Sequence, residues 1–286
     1  KVLMAIQALI DKDPWLEPYK EKLEARQRAI VQTVVKILDG KSVQDFALGH
    51  VYFGLHRTSD AWVVREWAPY AKKMYIVGDF CEWKDEEAYA LTKNDDGIWE
   101  GSFPLDTLKH GDRYKLHLFW RGGDGYRIPA YAKRVIQNDD QTFVAEVWQP
   151  EAPYVWQHDA PASPAAPMIY EAHVGMSGED EKVSTYQEFT RDVLPRIKTA
   201  GYNTVQLMAI AEHPYYGSFG YHVSNYFAPS SRFGTPDDLK ALIDAAHGMG
   251  LRVIIDIVHS HAVKNEEEGL SKFDGTPYQY FHKGPR

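Results

Sequence analysis

The sequence predicts a multi-domain chain: an N-terminal helical segment, an all-β immunoglobulin-like sandwich, and the first part of a (β/α)8 TIM barrel. Three observations carry this. Apolar residues recur at helical spacing between Asp13 and Gly40. Short strand-like runs, broken every dozen residues or so by Gly, Asp, Asn and Pro, fill residues 49 to 149. Strand and helix patterns then alternate from Met168 onward.

The helical segment spans residues 1–48. Leu16, Tyr19, Leu23, Ile30, Val34 and Leu38 mark one face. Asp13 suits an N-cap with Pro14 at the first helical position, and Gly40 suits the stop. The opening Lys1 to Ile6 resembles the start of a signal sequence, but Asp11, Lys12, Asp13 and Pro14 interrupt it before an apolar core of useful length.

Residues 49–150 form the sandwich. Its strands are read at Val51–Leu55, Ala61–Trp67, Met74–Phe80, Ile98–Phe103, Arg113–Trp120 and Thr142–Trp148. Residues 151–167, with Pro153, Pro161, Pro164 and Pro167, read as a stiff linker. In residues 168–286, strands are expected at Ile169–Val174, Thr204–Met208 and Val253–Val258. Helices are expected at Tyr186–Ala200 and Pro236–Met249, ended by Gly201 and Gly250. Apolar strands alternating with helices mean a parallel sheet covered by helices. A closed eightfold barrel takes roughly 250 residues, so these three units read as a barrel cut through its middle.

Composition bounds the partners. A net charge of −8 argues against nucleic acid or an anionic membrane, and no apolar run approaches a membrane span. Cys81 is the single cysteine, so no intrachain disulfide can form and a reducing, cytoplasmic setting is expected. The 8 Trp, 18 Tyr and 12 Phe supply flat apolar rings that suit sugar faces or simply core packing.

The chemistry-bearing residues cluster at the ends of the expected barrel strands, where barrel enzymes place their sites. Asp256, His259 and His261 follow the third strand. From local pattern they could be metal ligands, a hydrogen-bonded strand end, or the lining of a substrate cleft. Asp256 has no obvious partner for double-displacement glycosyl chemistry, which needs two carboxyls roughly 5 Å apart. The aromatic, glycine-rich stretch Glu212-His213-Pro214-Tyr215-Tyr216-Gly217-Ser218-Phe219-Gly220-Tyr221-His222 reads as a long βα loop at the same end. In the sandwich, Trp83 stands in a turn after a strand, either half-buried or a stacking platform.

GDFCEW at 78–83 followed by YKLHL at 114–118 resembles the starch- and glycogen-binding sandwich found ahead of amylase-type barrels. IYEAHVGMS at 169–177, VLPRIKTAGYNTVQLMAIAEHPYYGSFGY at 193–221, SSRFGTPDDLKALIDAAHGMGLRVIIDIVHSH at 230–261 and FDGTPYQYFHKGPR at 273–286 resemble glucan branching enzymes of the eukaryotic type, in the α-amylase superfamily. The resemblance runs over essentially the whole chain.

It implies retaining cleavage of an α-1,4-glucan and transfer of the chain to a 6-hydroxyl, as in glycogen biosynthesis. The alternatives are a debranching or hydrolytic relative and a non-catalytic glycogen-binding module. It implies a sugar subsite at Tyr221, Asp256 and His261, and glucan contacts at Trp67, Ala68, Pro69, Trp83, Asp95, Asp96, Gly97, Ile98 and Lys115. The family's nucleophile, acid/base and transition-state stabiliser lie on later strands, so none is expected within the chain, and these 286 residues alone are expected to be inactive.

The chain departs from the family at three places. His222 replaces the usual Gln after the tyrosine. Ser260 stands where many amylases carry a calcium-binding Asn, and FCEW replaces the commoner FNGW. No metal and no cofactor is expected. The expected partner is an α-glucan, with no nucleic acid and no membrane.

Overall fold

The computed structural model describes residues 2–282, with side chains from Ile6 onward. Two compact units emerge, 1–52 and 53–286.

In the first unit, α1 (Val2–Lys12) precedes a 3-10 turn at Pro14–Tyr19 and α2 (Lys20–Leu38). Asp13 caps as expected, its carboxylate accepting from the Trp15 N–H at 3.2 Å. The expected continuous helix is split because Pro18 lies inside the first turns and has no N–H to give. α2 stops at Asp39 and Gly40, whose φ values are +44° and +80°. Two four-residue helices follow, α3 (Val43–Phe46), closed by a Ser42–Asp45 capping box, and α4 (Gly49–Tyr52). Val51 and Tyr52, expected in a strand, are therefore helical. The strand starts only at Gly54, at φ +92°, where a Cβ would sit 3.0 Å from the Tyr131 carbonyl oxygen.

The second unit opens with two antiparallel sheets. One runs β1 (Gly54–Arg57), β2 (Trp62–Trp67), β5 (Ile98–Phe103), β4 (Thr92–Lys93) in spatial order. The other runs β3 (Lys73–Gly78), β6 (Arg113–Trp120), β9 (Phe143–Glu146), β8 (Val135–Gln137), with β7 (Gly123–Arg127) beside β6. Period-two alternation sets their faces. Trp62 and Val64 of β2, Trp99 and Phe103 of β5, Met74 and Ile76 of β3, and Tyr114, Leu116 and Leu118 of β6 fill one inter-sheet core. The alternate residues of β3, Tyr75 and Val77, build a second, smaller cluster with Cys81 on the outer face, joined by Trp83 and Phe119.

Beyond the sandwich, β10 (Ile169–Ala172), β11 (Thr204–Leu207) and β14 (Arg252–Ile255) pair in parallel, in that order. The first crossover holds α5 (Tyr186–Glu188), a π turn (Phe189–Val193) and α6 (Leu194–Thr199). The widened turn sits immediately before Pro195, which cannot donate to an i−4 carbonyl, so the ladder is locally re-registered. The second crossover is α7 (Pro236–Gly248), started by a Thr235–Asp238 capping box and ended at Gly250, φ +72°. Phe189, Leu194, Ile197, Val205, Leu207, Phe233, Leu242, Ala246 and Leu251 bury the faces between. An antiparallel ribbon, β12 (Ala211–Glu212) with β13 (Asn225–Pro229), closes the stretch that reads in sequence as an unstructured loop.

The proline-rich segment has no helix or strand, yet it is tied down. Asp244 on α7 accepts from the Tyr154 hydroxyl at 2.8 Å, the Gln157 and His158 N–H groups at 2.9 Å each, and lies 2.9 Å from His158 Nδ1. Burial opposes ionisation of Asp244, but these donors together win and hold its carboxyl down at about 2. His158 lies over Gly248, where a Cβ would come within 2.9 Å of its ring.

The barrel stretch also grips the sandwich. Arg127, 3% exposed, donates to the carbonyls of Phe273 (3.2 Å) and Lys272 (3.0 Å), with its guanidinium over the Trp120 ring. Asp274, fully buried, accepts from the Tyr70 N–H at 3.3 Å. Among the described residues, no helix is long and apolar enough to cross a membrane.

Candidate functional site

At the carboxyl ends of the three parallel strands a polar network replaces the apolar core. β14 is shorter than expected because its partner β11 ends at Leu207, paired with Ile255. Ile257 is left exposed. Asp256 is the first residue past the strand, and its N–H still donates to the Leu207 carbonyl at 3.1 Å. Its carboxylate accepts from the Tyr221 hydroxyl at 3.0 Å and from Gln206 Nε2 at 2.7 Å. Gln206 also reaches Glu171, its register partner on β10, at 3.4 Å. Burial, and then the bond to Asp256, push the Tyr221 phenol above its usual range, so at neutral pH it is an O–H donor next to a carboxylate.

The structure therefore joins Tyr221 and Asp256 directly. His261 is exposed in the loop beyond, and His259 stacks on Tyr226 with centroids 6.1 Å apart. His222 is exposed beside Tyr221. Among the described residues no group of three or more His, Cys, Asp or Glu side chains is placed to hold a metal ion.

Gln206 and Glu171 were not singled out by sequence reasoning. The signal was there, since each is a lone polar residue within a short apolar strand. Glu212 lies at the heart of the aromatic stretch but is 0% exposed. It accepts from the N–H groups of His213 (3.0 Å) and Ser231 (2.7 Å), and burial pushes its carboxyl up. It fastens the ribbon and is closed to substrate. Arg232 works alongside, donating to the carbonyls of His213 (2.6 Å) and Pro214 (2.7 Å).

The sandwich candidates fall into two patches. On the first sheet, Trp67 ends β2 on the outward face and is 36% exposed, its indole N–H donating to the Asp96 carbonyl at 3.2 Å. The turn carrying Asp95 to Ile98 is folded by Asn94, whose side-chain oxygen accepts from Asp96 and Ile98 N–H at 3.0 Å each. Gly97, at φ +79°, lies so close to Pro69 that a Cβ would come within 2.7 Å. Beneath this patch is Glu66, fully buried, accepting from the Trp67 N–H (3.1 Å) and the Ala130 N–H (2.8 Å). Burial raises its carboxyl to about 7 against those two bonds. Tyr280 meets the Trp67 ring edge-on at 6.3 Å.

Two of the residues expected to touch glucan need correction. Ala68 is 0% exposed, its N–H donating to Gly97 and its carbonyl accepting from the Trp99 indole, so it has no surface for a ligand. Lys115 is 7% exposed and its ammonium is ion-paired with Glu267 of the barrel stretch. Strand alternation points Lys115 outward from the sandwich core, but the later loop covers that face.

The second patch carries Trp83. Glu82 and Trp83 adopt φ values of +51° and +61°, a left-handed pair that turns the chain sharply after β3. Asp79 holds the turn, accepting from the Trp83 indole at 3.1 Å and from the Arg113 N–H at 2.8 Å.

Residues 52–132 match carbohydrate-binding module 48, the isoamylase N-terminal domain, and residues 190–284 match the alpha amylase catalytic domain. Two solved structures share the fold: a pullulanase from Bacillus acidopullulyticus (TM-score 0.64, 23% identity, 82% of this chain and 32% of that one) and a pullulanase from Paenibacillus barengoltzii (0.59, 24%, 80% and 42%). The chain thus joins a module 48 sandwich to the first units of an amylase-type barrel.

Its sequence is more specific. It is 45% identical to a 1,4-alpha-glucan-branching enzyme of Dictyostelium discoideum over 97% of its own length and 42% of the relative's. A branching enzyme of Aspergillus oryzae matches at 46% over 96% and 42%, and one of Equus caballus at 43% over 97% and 41%. Along nearly all its length the chain is a homologue of the 1,4-alpha-glucan-branching enzymes. It spans about two fifths of the length of these curated relatives.

Proposed function

We propose that the protein carrying this chain is a cytoplasmic 1,4-α-glucan branching enzyme. It cleaves an α-1,4 bond with retention and transfers the released chain to a 6-hydroxyl, in glycogen-type synthesis. The observation that carries this reading is the run of 42–46% identity to branching enzymes across sandwich and barrel stretch together, which a lone binding module would not share.

In this reading the parts divide as follows. Tyr221 lies against a sugar ring at the strand ends. Asp256, held from both sides by Tyr221 and Gln206, keeps that ring plane fixed, and His261 reaches the same sugar from its loop. Trp67, Pro69 and the turn Asp95 to Ile98 form one glucan contact on the sandwich, and Trp83 forms another. An aromatic face against the apolar face of a pyranose is worth on the order of 1 kcal/mol, so two separated patches hold a long chain better than a short one. The nucleophile, acid/base and stabiliser belong to later strands of the barrel.

The four segments are proposed as a helical piece at 1–48, the glucan-binding sandwich at 49–150, the linker at 151–167 and the barrel units at 168–286. The deciding experiment is incubation of the full-length enzyme with amylose, followed by linkage analysis. New α-1,6 linkages with loss of iodine colour support branching, whereas reducing ends without new α-1,6 linkages would make it a hydrolase.

A further inference from the structure

The outer face of the second sheet holds one histidine that the proposed function does not use. His117 on β6 is 7% exposed. Its Nδ1 lies 2.8 and 2.9 Å from the two carboxylate oxygens of Asp85, and its Nε2 lies 2.9 Å from Asp124. The ring stacks on Tyr126 with centroids 4.4 Å apart at 19°, and leans on Phe119 at 4.5 Å.

Two carboxylates on opposite ring nitrogens have a chemical consequence. A neutral imidazole carries one N–H, so one of its nitrogens would direct a lone pair at a carboxylate. Only the imidazolium donates to both. Asp85 ends the segment that begins at Asp79 and carries Trp83 in its left-handed turn. Asp79 fastens the start of that segment to the Arg113 N–H, and His117 fastens its end to the middle of the same strand.

We propose that His117, as an imidazolium, is a positioning residue for the Trp83 platform, so that glucan binding there depends on the proton it carries. The proposal rests on the reading of Trp83 as a glucan-binding ring. When the proton leaves, no ring orientation serves both carboxylates. The ring must abandon one of them and shift on Tyr126, and the Trp83 turn loses its fixed end. The other ionisable groups facing this cluster are Lys115 with its partner Glu267, and Tyr75 on β3 opposite His117, whose hydroxyl donates to Glu87 at 2.9 Å. With Asp85 and Asp124 the carboxylates there outnumber the ammonium. No second cation lies among these groups to take over when the imidazolium is neutralised.

The test is maltoheptaose affinity by calorimetry from about pH 5.5 to 8.5, using the full-length enzyme and its His117→Gln, Glu66→Gln and Trp83→Ala variants. The unmodified enzyme should weaken by roughly tenfold as pH rises, the scale of removing one aromatic ring from the sugar. His117→Gln should be weak and flat across the range. Glu66→Gln removes the other carboxyl titrating in this window and should leave the step in place.

A pH-independent affinity in the unmodified enzyme, with Trp83→Ala still weakened, would overturn the role of His117 while leaving the glucan reading intact. So would a step that persists in His117→Gln. Trp83→Ala binding as tightly as the unmodified enzyme would instead remove Trp83 from the glucan surface. The profile of the unmodified enzyme decides the matter even where a variant folds poorly.

Discussion

Glu66 makes the folded state sensitive to pH in an unusual direction. Its carboxyl, with an ordinary value of 4.5, is raised to about 7 by complete burial. The folded protein therefore binds this proton more tightly than the unfolded chain does. Its contribution is fully present below the unfolded value and is lost as pH rises through the folded one. The shift is 7 − 4.5 = 2.5 units, which corresponds to about 3 kcal/mol in full, of which about 2.5 kcal/mol falls between about pH 5 and pH 8.

Glu66→Gln removes the titration. It also places an amide N–H₂ against one of the two backbone donors that the carboxylate satisfied, costing roughly 1–3 kcal/mol at every pH. The assay is urea unfolding followed by tryptophan emission, since Trp62 and Trp99 are 3% and 4% exposed in the same core. The unmodified protein should lose stability steadily from about pH 5 to 8, and the variant should be less stable at pH 5 with a flatter profile. If the variant retained the full slope, Glu66 would not be its source, and burial would not be raising this carboxyl.

Other expectations rest on the same geometry. Tyr221→Phe removes the hydroxyl that Asp256 accepts at 3.0 Å; kcat/KM of the full-length enzyme on amylose should fall by about tenfold, the worth of one hydrogen bond to a charged group. Trp67→Ala should weaken maltoheptaose binding by about 1 kcal/mol with the fold intact by circular dichroism; unchanged affinity would make Trp67 a packing residue for Tyr280. Asp244→Asn should lower the melting temperature and raise hydrogen exchange at Gln157 and His158, whose N–H groups Asp244 accepts. Because the Asp244 carboxyl is held down at about 2, its stabilising role is present above its ordinary value of 3.8. It should be lost as pH falls toward 2, so acid should loosen the linker in the unmodified protein and add little in the variant.

How much of this was legible beforehand depends on the range of the interaction. Asp13, Thr235 and Gly250 act within a turn of their own helices, and their roles could be read from neighbours three or four positions away. The alternation in β2 and β6 foretold the layers of the sandwich, because side chains on successive residues of a strand must face opposite ways. The same alternation misled at Lys115, which it aims at solvent. The Glu267 carboxylate that covers it comes from 152 positions later in the chain, and no local pattern encodes that approach. The expected strand from Val253 to Val258 also overran, because a strand continues only while a neighbour offers hydrogen bonds.

By itself, then, the sequence determined the kinds of layer this chain forms, the starts and stops of its helices, and the enzymes it resembles. All of these follow from steric and hydrophobic preferences acting over a few residues or from long matching runs. Tertiary structure alone decided which polar groups meet. Asp256 finds Gln206 and Tyr221 across 50 and 35 positions, and His117 is caught between Asp85 and Asp124. A hydrogen bond needs its partners within about 3 Å, and only the closed arrangement of strands brings residues so far apart in sequence to that distance.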